Sequence, residues 1–152
     1  MRLSSKGRYA VMAMADLARH SVDAKVRAVA LADIAARQDL SLAYLEQLFT
    51  RLRREGLVVS HRGPGGGYRL ARPAHELAVV DIVLAVDEPL EAVRCNSQPG
   101  KAKGKAGGCM PGGERCLTHD LWQALGDHIH GFLAGVTLDD VIEGRLRPSK
   151  AA

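Results

Sequence analysis

Apolar residues recur at intervals of three and four along the first third of this 152-residue chain, a spacing that places them on one face of an α-helix. The first helix is predicted to begin at Ser4 or Ser5 and to continue to about Arg19. The pattern VALADIAARQ predicts a second, short helix over residues 29–38, and LAYLEQLFTRLRREG predicts a third over 42–56. The side chains expected to face a common core are Tyr9, Ala13, Met14, Leu17, Leu31, Ile34, Ala35, Leu45, Leu48, Phe49 and Leu52.

The breaks after these helices carry signals of their own. Ser41 is a suitable N-cap for the third helix, and Gly56 is suited to end it. Two strand-like runs follow at 57–61 and 68–70, and the turn between them is rich in Gly and Pro, which predicts a β-hairpin. Helix, helix, short turn, helix and hairpin is the order of a winged helix-turn-helix. The predicted fold is therefore mainly α, with a small β-hairpin wing.

The second half continues with three more helical patterns. VVDIVLAVDEP, residues 79–89, predicts a short buried helix that ends at Pro89. Residues 117–136 predict a long helix. TLDDVIEG, residues 137–144, predicts a final short helix with Thr137 as its N-cap.

The long helix has a wide apolar stripe. Its members are Leu121, Trp122, Leu125, Ile129, Phe132 and Leu133. This is more apolar surface than one small domain covers, so antiparallel pairing with a second copy about a two-fold axis is the simplest outlet. The alternative is that the stripe packs on the first helix of the same chain.

Charge is distributed unevenly. Residues 1–72 hold 13 Lys and Arg against 6 Asp and Glu, whereas residues 73–152 hold 8 against 11. A polyanion is therefore expected to meet the first half. No apolar run approaches the ~20 residues that a membrane-spanning helix needs, and Asp16 and Arg19 interrupt the N-terminal pattern, unlike a signal peptide. The protein is expected in the cytoplasm, without a membrane partner.

The outer face of the third helix offers side chains that suit DNA bases. Gln47 can pair with N6 and N7 of adenine, and Glu46 can accept from N4 of cytosine. Arg62, at the base of the glycine hairpin, suits a wing that enters the minor groove. The alternatives are solvated helix residues and a plain tight turn. Phosphate contacts are predicted for Arg2, Lys6, Arg8, Arg51, Arg53 and Arg54.

All three cysteines lie in CNSQPGKAKGKAGGCMPGGERCLTH, residues 95–119, which is too rich in Gly, Pro and Lys to form a core. Clustered cysteines beside a histidine, in a reducing compartment, indicate metal or redox chemistry before disulfides. Zinc and iron–sulfur clusters both use such ligands, and the spacing does not exclude either. An enzyme with a cysteine nucleophile is disfavoured, because no orienting acid or apolar pocket surrounds Cys116 and His119.

Several stretches together resemble the IscR family of iron–sulfur cluster transcription regulators. They are MRLSSKGRYAVMAM, LADIAARQDLSLAYLEQLFTRLRREGLV, RGPGGGYRL, AVDEPLEAVRC and CLTHDLW, and the likeness runs from Met1 to about Gly144. The resemblance implies a homodimeric repressor or activator that senses cluster status through a [2Fe–2S] cluster and controls the cluster-assembly genes. The implied cluster ligands are Cys95, Cys109, Cys116 and His119. The implied base contacts are Tyr44, Glu46, Gln47 and Arg62.

The implied organisation has four parts. Residues 1–90 are a winged helix-turn-helix DNA-binding domain, and 91–119 an iron–sulfur cluster loop. Residues 120–144 are a dimerisation helix followed by a short C-terminal helix, and 145–152 a disordered tail. A dimer would place two recognition helices in successive major grooves of a pseudo-palindromic site on double-stranded DNA.

Two features depart from the family pattern. Thirteen residues separate Cys95 from Cys109, where relatives usually have about five or six, and Ala43 stands where a DNA-contacting serine is often found. Doubling a loop costs only about 0.6 kcal/mol in closure entropy, so a cluster is still expected. Zinc is the alternative metal. An iron–sulfur electron carrier or cluster scaffold is the alternative function, and steep salt dependence of DNA binding would argue against it.

Overall fold

The computed structural model of the chain describes residues 5–21, 28–87, 110 and 114–146. In that part the elements are α1 (Ser5–His20), α2 (Leu31–Gln38), α3 (Leu42–Arg54), β1 (Val58–His61), β2 (Gly67–Leu70), a 3₁₀ turn (Ala74–Glu76), α4 (Val79–Ala85), α5 (His119–Ala134) and α6 (Leu138–Ile142). These residues form two compact units. One contains the described residues between 3 and 88 and between 133 and 152, and the other those between 89 and 132.

The helix-turn-helix forms as the sequence predicts. Asp39 turns the chain after α2 with a φ of 52°, in the left-handed region. Ser41 then caps α3, because its hydroxyl accepts a hydrogen bond from the backbone N–H of Tyr44 at 3.5 Å. Gly56 follows α3 with a φ of 71°, a conformation that glycine adopts without steric cost. The short turn thereby fixes the direction in which α3 leaves α2.

The larger unit is built around one apolar core. Its largest fully buried side chains are Phe49, Met14, Leu17, Ile34, Leu45, Leu52, Leu77, Ile82, Leu138, Val58, Val83 and Val86. The predicted core positions are confirmed, although Tyr9 and Ala35 are half-buried at its margin. Leu138 of α6 belongs to the same core, so α6 packs beside α1 and the 3₁₀ turn. Thr137 and Asp140 form a reciprocal capping box at the start of α6.

The wing is an antiparallel hairpin, and a third piece of backbone bonds to β2 close to the turn that joins the two strands. Val58 of β1 pairs with Leu70 of β2. Val29, predicted as the first residue of the second helix, instead exchanges two backbone hydrogen bonds of 2.8 Å with Tyr68. A β-branched residue suits this extended conformation, and two backbone bonds outweigh two more helical residues. Gly67 allows the crossing, since a Cβ there would lie 2.2 Å from the carbonyl oxygen of Val29.

The fourth helix is shorter than the sequence predicts. It ends at Ala85 rather than near Pro89, because Asp87 already adopts a left-handed φ of 54°. Within the described ranges, no helix combines the length and apolarity needed to cross a membrane.

Candidate nucleic-acid interface and metal site

The burial pattern of α3 fixes which of its side chains face outward. Leu45, Leu48, Phe49 and Leu52 are buried at positions i, i+3, i+4 and i+7. The opposite face is therefore open to solvent. It presents Ala43, Glu46, Gln47 and Thr50 as exposed residues.

The polar side chains on this face differ in whether their hydrogen-bonding groups are already used within the helix. The hydroxyl of Thr50 donates to the carbonyl oxygen of Glu46 at 2.7 Å, so its proton is already used within the helix. No such internal bond is found for the amide of Gln47 among the described contacts. Gln47 therefore has both a donor and an acceptor available for a base edge.

Tyr44 packs against another aromatic ring, a contact that sequence reasoning did not predict. Its ring meets the ring of Tyr9 edge-on, with centroids 6.1 Å apart and planes at 88°. The guanidinium of Arg8 lies 4.9 Å from the centroid of Tyr9 and donates to its hydroxyl at 3.2 Å. The first turn of α1 is thereby tied to the first turn of α3. Arg8 is an exposed cation beside the predicted base-contacting residues.

The other residues predicted to contact phosphates differ in their exposure and in the contacts they already make. Arg53 and Arg54 are exposed in the last turn of α3, and Arg62 is exposed directly after β1. Arg51 instead forms an ion pair with Asp87 and donates to the carbonyl oxygen of Val86 at 3.4 Å. A phosphate contact by Arg51 would have to compete with that ion pair. Lys6 is half-buried on α1, and Arg2 lies outside the described residues.

A buried carboxylate fixes α1 against α2. The side chain of Asp16 is only 2% exposed, and Arg37 approaches it with Nε at 3.1 Å and Nη2 at 2.6 Å. Gln38 donates to the second oxygen at 2.8 Å, and Nδ1 of His20 lies 3.4 Å from the first. Burial alone would raise the pKa of Asp16, but the bonds from Arg37 and Gln38 outweigh it and hold this pKa below its usual value.

The carboxylate also holds the pKa of Arg37 above its ordinary value, since its hydrogen bonds favour the charged guanidinium. Sequence reasoning missed this network, although a carboxylate beside Ala13, Met14 and Leu17 on an apolar helix was a visible signal. The network orients α2, and α2 in turn positions the turn that leads into α3.

Two of the four predicted metal ligands lie at the start of α5. The backbone N–H of His119 donates to the carbonyl oxygen of Cys116 at 3.0 Å, so the two residues share one turn. Cys116 is half-buried and His119 is buried. The other two predicted ligands, Cys95 and Cys109, lie outside the described residues. In the part that the structure describes, no group of three or more potential ligands is arranged to hold a metal ion.

The donor chemistry of this pair fits an iron–sulfur cluster and also fits zinc. A cysteine thiolate and a neutral imidazole are ligands of both. The positive end of the helix dipole at the start of α5 favours a thiolate or an anionic cluster there. Position and donor type are therefore compatible with the predicted site.

A short hydrogen-bonded chain adjoins Cys116. Its Sγ lies 3.6 Å from the hydroxyl oxygen of Thr118, and that oxygen accepts a bond of 3.2 Å from Nε1 of Trp122. Sequence reasoning placed Trp122 on the apolar stripe and gave Thr118 no role. The spacing i, i+2, i+6 across a helix start was the available signal.

The apolar stripe of α5 remains largely open in the single chain. Leu121 is 61% exposed and Phe132 is 44% exposed. Trp122, Leu125, Ile129 and Leu133 are half-buried. None of these six side chains belongs to the buried core of the larger unit.

The comparisons with known proteins agree with this arrangement. The model of the Rrf2 family, described as iron-dependent transcriptional regulators, matches residues 3–144. The chain is 53% identical to the HTH-type transcriptional regulator IscR of Serratia proteamaculans over 145 residues, 95% of this chain and 81% of the relative. It is 52% identical to the IscR of Escherichia coli O139:H28, again over 95% of this chain and 82% of that protein.

Solved structures give the same result. The IscR of T. potens is 34% identical with a TM-score of 0.71, and the match covers 100% of this chain and 93% of that one. CymR, the global cysteine regulator of B. subtilis, is 30% identical with a TM-score of 0.71, over 95% of this chain and 98% of that one. These relatives are transcription regulators and not enzymes, and the winged-helix prediction is confirmed. The chain belongs to the Rrf2 family of iron-dependent transcriptional regulators and is a DNA-binding transcription regulator.

Proposed function

We propose that this regulator senses iron–sulfur status through a [2Fe–2S] cluster held by Cys95, Cys109, Cys116 and His119. The observation that carries the proposal is the placement of Cys116 and His119 in one turn at the start of α5, in a chain of an iron-dependent family. The controlled genes would include those for cluster assembly, as the resemblance to the IscR family implies. The longer spacing between Cys95 and Cys109 changes the loop but not the order of the ligands.

The cluster, when bound, supplies a centre that iron supply, oxidants and acid can remove or alter. The protein's part is to hold it at the start of α5. Because imidazole must be deprotonated to bind a metal, a site with one histidine is expected to be labile in acid. We expect an exposed, labile cluster rather than a very stable electron-transfer centre.

We further propose that the regulator is a homodimer formed through α5. The open stripe supports this, because side chains such as Leu121 and Phe132 would lose contact with water in an antiparallel pair. Two copies of α3 would then face successive major grooves of a pseudo-palindromic site. Tyr44, Glu46, Gln47 and Arg62 would contact bases. The phosphate contacts would come from Arg2, Lys6, Arg8, Arg51, Arg53 and Arg54.

The proposed site is tested by purifying the protein without oxygen and measuring iron, sulfide, zinc and visible absorption. The wild-type protein is expected to be brown, to contain iron and sulfide, and to bleach with dithionite. Cys116→Ala and His119→Ala should each lose the iron. His128→Ala is the matched control, since His128 is an exposed histidine of α5 that is not a proposed ligand. A colourless wild-type protein with stoichiometric zinc would establish the zinc alternative.

The sensing role is tested by mobility shifts of apo and cluster-loaded protein on one set of promoter fragments. We expect the two forms to prefer different fragments, and binding by both to weaken steeply with salt. An identical promoter preference for the two forms would refute sensing, while leaving DNA binding intact.

A further inference from the structure

We propose that Thr118 is a positioning residue for the Cys116 thiolate, with Trp122 fixing the direction of its hydroxyl. The structural basis is the chain from Nε1 of Trp122 to Oγ1 of Thr118, 3.2 Å, and from Oγ1 to Sγ of Cys116, 3.6 Å. The inference rests on the proposed cluster, because it concerns how one ligand of that cluster is tuned.

The donor direction follows from what each group is able to donate. An indole N–H donates only, so Trp122 occupies one acceptor position of the Thr118 oxygen. A metal-bound cysteine is a thiolate and has no proton to donate. The bond between Thr118 and Cys116 then requires the hydroxyl proton of Thr118, and the bond from Trp122 leaves that proton free to point at sulfur. Trp122 therefore favours the rotamer that serves the ligand.

This bond has a consequence for the cluster. Hydrogen bonds to ligating sulfur are one of the protein's means of setting the potential of an iron–sulfur centre. A donor at the thiolate stabilises the more negative, reduced state more than the oxidised state. Removing it should therefore make the cluster harder to reduce. Neither group is fully buried, so water competes for the bond and the effect stays moderate.

The same chain connects the ligand to the apolar stripe. Trp122 is the single tryptophan of the protein, and it belongs to the predicted apolar stripe of α5 next to the exposed Leu121. A change in the bonding of the Cys116 sulfur would thus reach a stripe residue through two hydrogen bonds. Thr118 precedes the helix at a position where threonine often only caps the first turn. The experiment must separate these two roles.

The test uses full-length protein that has been loaded with cluster, in four forms: wild-type, Thr118→Val, Thr118→Ser and Trp122→Phe. Valine keeps the shape of threonine but removes the hydroxyl, and serine keeps the hydroxyl. Phenylalanine replaces the indole by a smaller aromatic ring that has no N–H. The reduction potential is measured by dye-mediated titration followed at the visible absorption of the cluster. Thermal unfolding of the apo forms records any structural role separately.

We expect Thr118→Val to shift the reduction equilibrium roughly tenfold toward the oxidised form, which is about 59 mV for one electron. Thr118→Ser should keep the wild-type reduction potential. The potential of Trp122→Phe should lie between those of wild-type and Thr118→Val. If Thr118→Val retains no cluster while Thr118→Ser does, a requirement for the hydroxyl is still established.

Equal potentials for wild-type and Thr118→Val would overturn the inference, and so would cluster loss in both Thr118 variants. Equal potentials accompanied by lower thermal stability would show a helix cap only. If the wild-type protein itself takes up no iron, the proposed function has failed. That outcome is distinguishable, because it appears before any variant is compared.

Discussion

Helices α3 and α5 have similar apolar stripes but opposite surroundings. In α3 the stripe is buried by the same chain, and Phe49 has no exposed surface. In α5 the stripe stays open, and Phe132 is 44% exposed. The two helices share a pattern of spacing, and the pattern alone does not say where the partner surface comes from. The difference teaches that α3 is completed by folding, whereas α5 keeps exposed apolar side chains, as the proposed homodimer requires.

The chain's two phenylalanines provide a matched test of this difference, one on each helix. Phe49→Ala is expected to lower the free energy of unfolding by about 3–5 kcal/mol, because it leaves a cavity. It also removes a ring whose centroid lies 5.0 Å from that of Tyr68. Urea unfolding, followed by circular dichroism at fixed protein concentration, measures the loss. A loss below about 1 kcal/mol would contradict the burial described for α3.

Phe132→Ala is expected to leave the helical content of the chain unchanged and to weaken the dimer. Each dimer would lose two rings, since a two-fold interface uses the same residue twice, and we expect about 2–3 kcal/mol of association free energy. Sedimentation over a range of concentrations measures this. Gln123→Ala, also exposed on α5 but outside the stripe, should have no effect. A monomeric wild-type protein would remove the dimer model.

Asp16→Asn tests whether the scaffold behind α3 depends on one buried charge. We expect a loss of about 1.5–3 kcal/mol in unfolding free energy, toward the lower end because Arg37 is partly exposed. Since the pKa of Asp16 is lowered by folding, the stabilisation should be complete above the unfolded pKa of about 3.9. It should disappear as pH falls through the lower, folded pKa.

The measurement for Asp16 is the difference in unfolding free energy between wild-type and variant at several pH values. Asp127→Asn, an exposed carboxylate in α5, serves as the control and should show little pH-dependent difference. A difference that is constant down to the most acidic condition would show that the charge of Asp16 is not the source of its effect.

A substitution on the outer face of α3 is expected to have the smallest effect. Gln47→Ala should weaken binding to the preferred DNA site roughly tenfold and relax the choice at one base pair, while the fold is unaffected. Thr50→Ala is the matched control, because the hydroxyl of Thr50 is bonded to the carbonyl oxygen of Glu46. Fluorescence anisotropy with single-base variants of the site distinguishes the two. Equal losses for both variants would argue against base recognition by Gln47.

Local spacing was sufficient to predict most of the larger unit. The burial of Leu45, Leu48, Phe49 and Leu52 follows from helical periodicity, and Ser41 and Gly56 mark the ends of α3 by their own backbone preferences. Nothing local predicts that Val29 leaves the helix for Tyr68, since the two are 39 positions apart and the bond is between backbones.

The candidate site could be predicted less completely than the fold of the larger unit. The residue types and order of the ligands were readable in the sequence, and Cys116 and His119 do share a turn. The contacts of Asp16 with Arg37, and of Trp122 with Thr118, depend on side-chain directions that periodicity does not determine. Cys95 and Cys109 stay predictions.

The crossing of Val29 over Gly67 determines where the wing has freedom to adapt. Tyr68, close to the turn of the hairpin, is bonded to Val29 in the segment that leads into α2, so the hairpin cannot swing as a flap without breaking two backbone bonds. The tip is different, because Gly63 and Gly65 have open space around them. The freedom to adapt is therefore confined to the apex around Gly63 and Gly65. Insertions would be accommodated there and rejected at position 67.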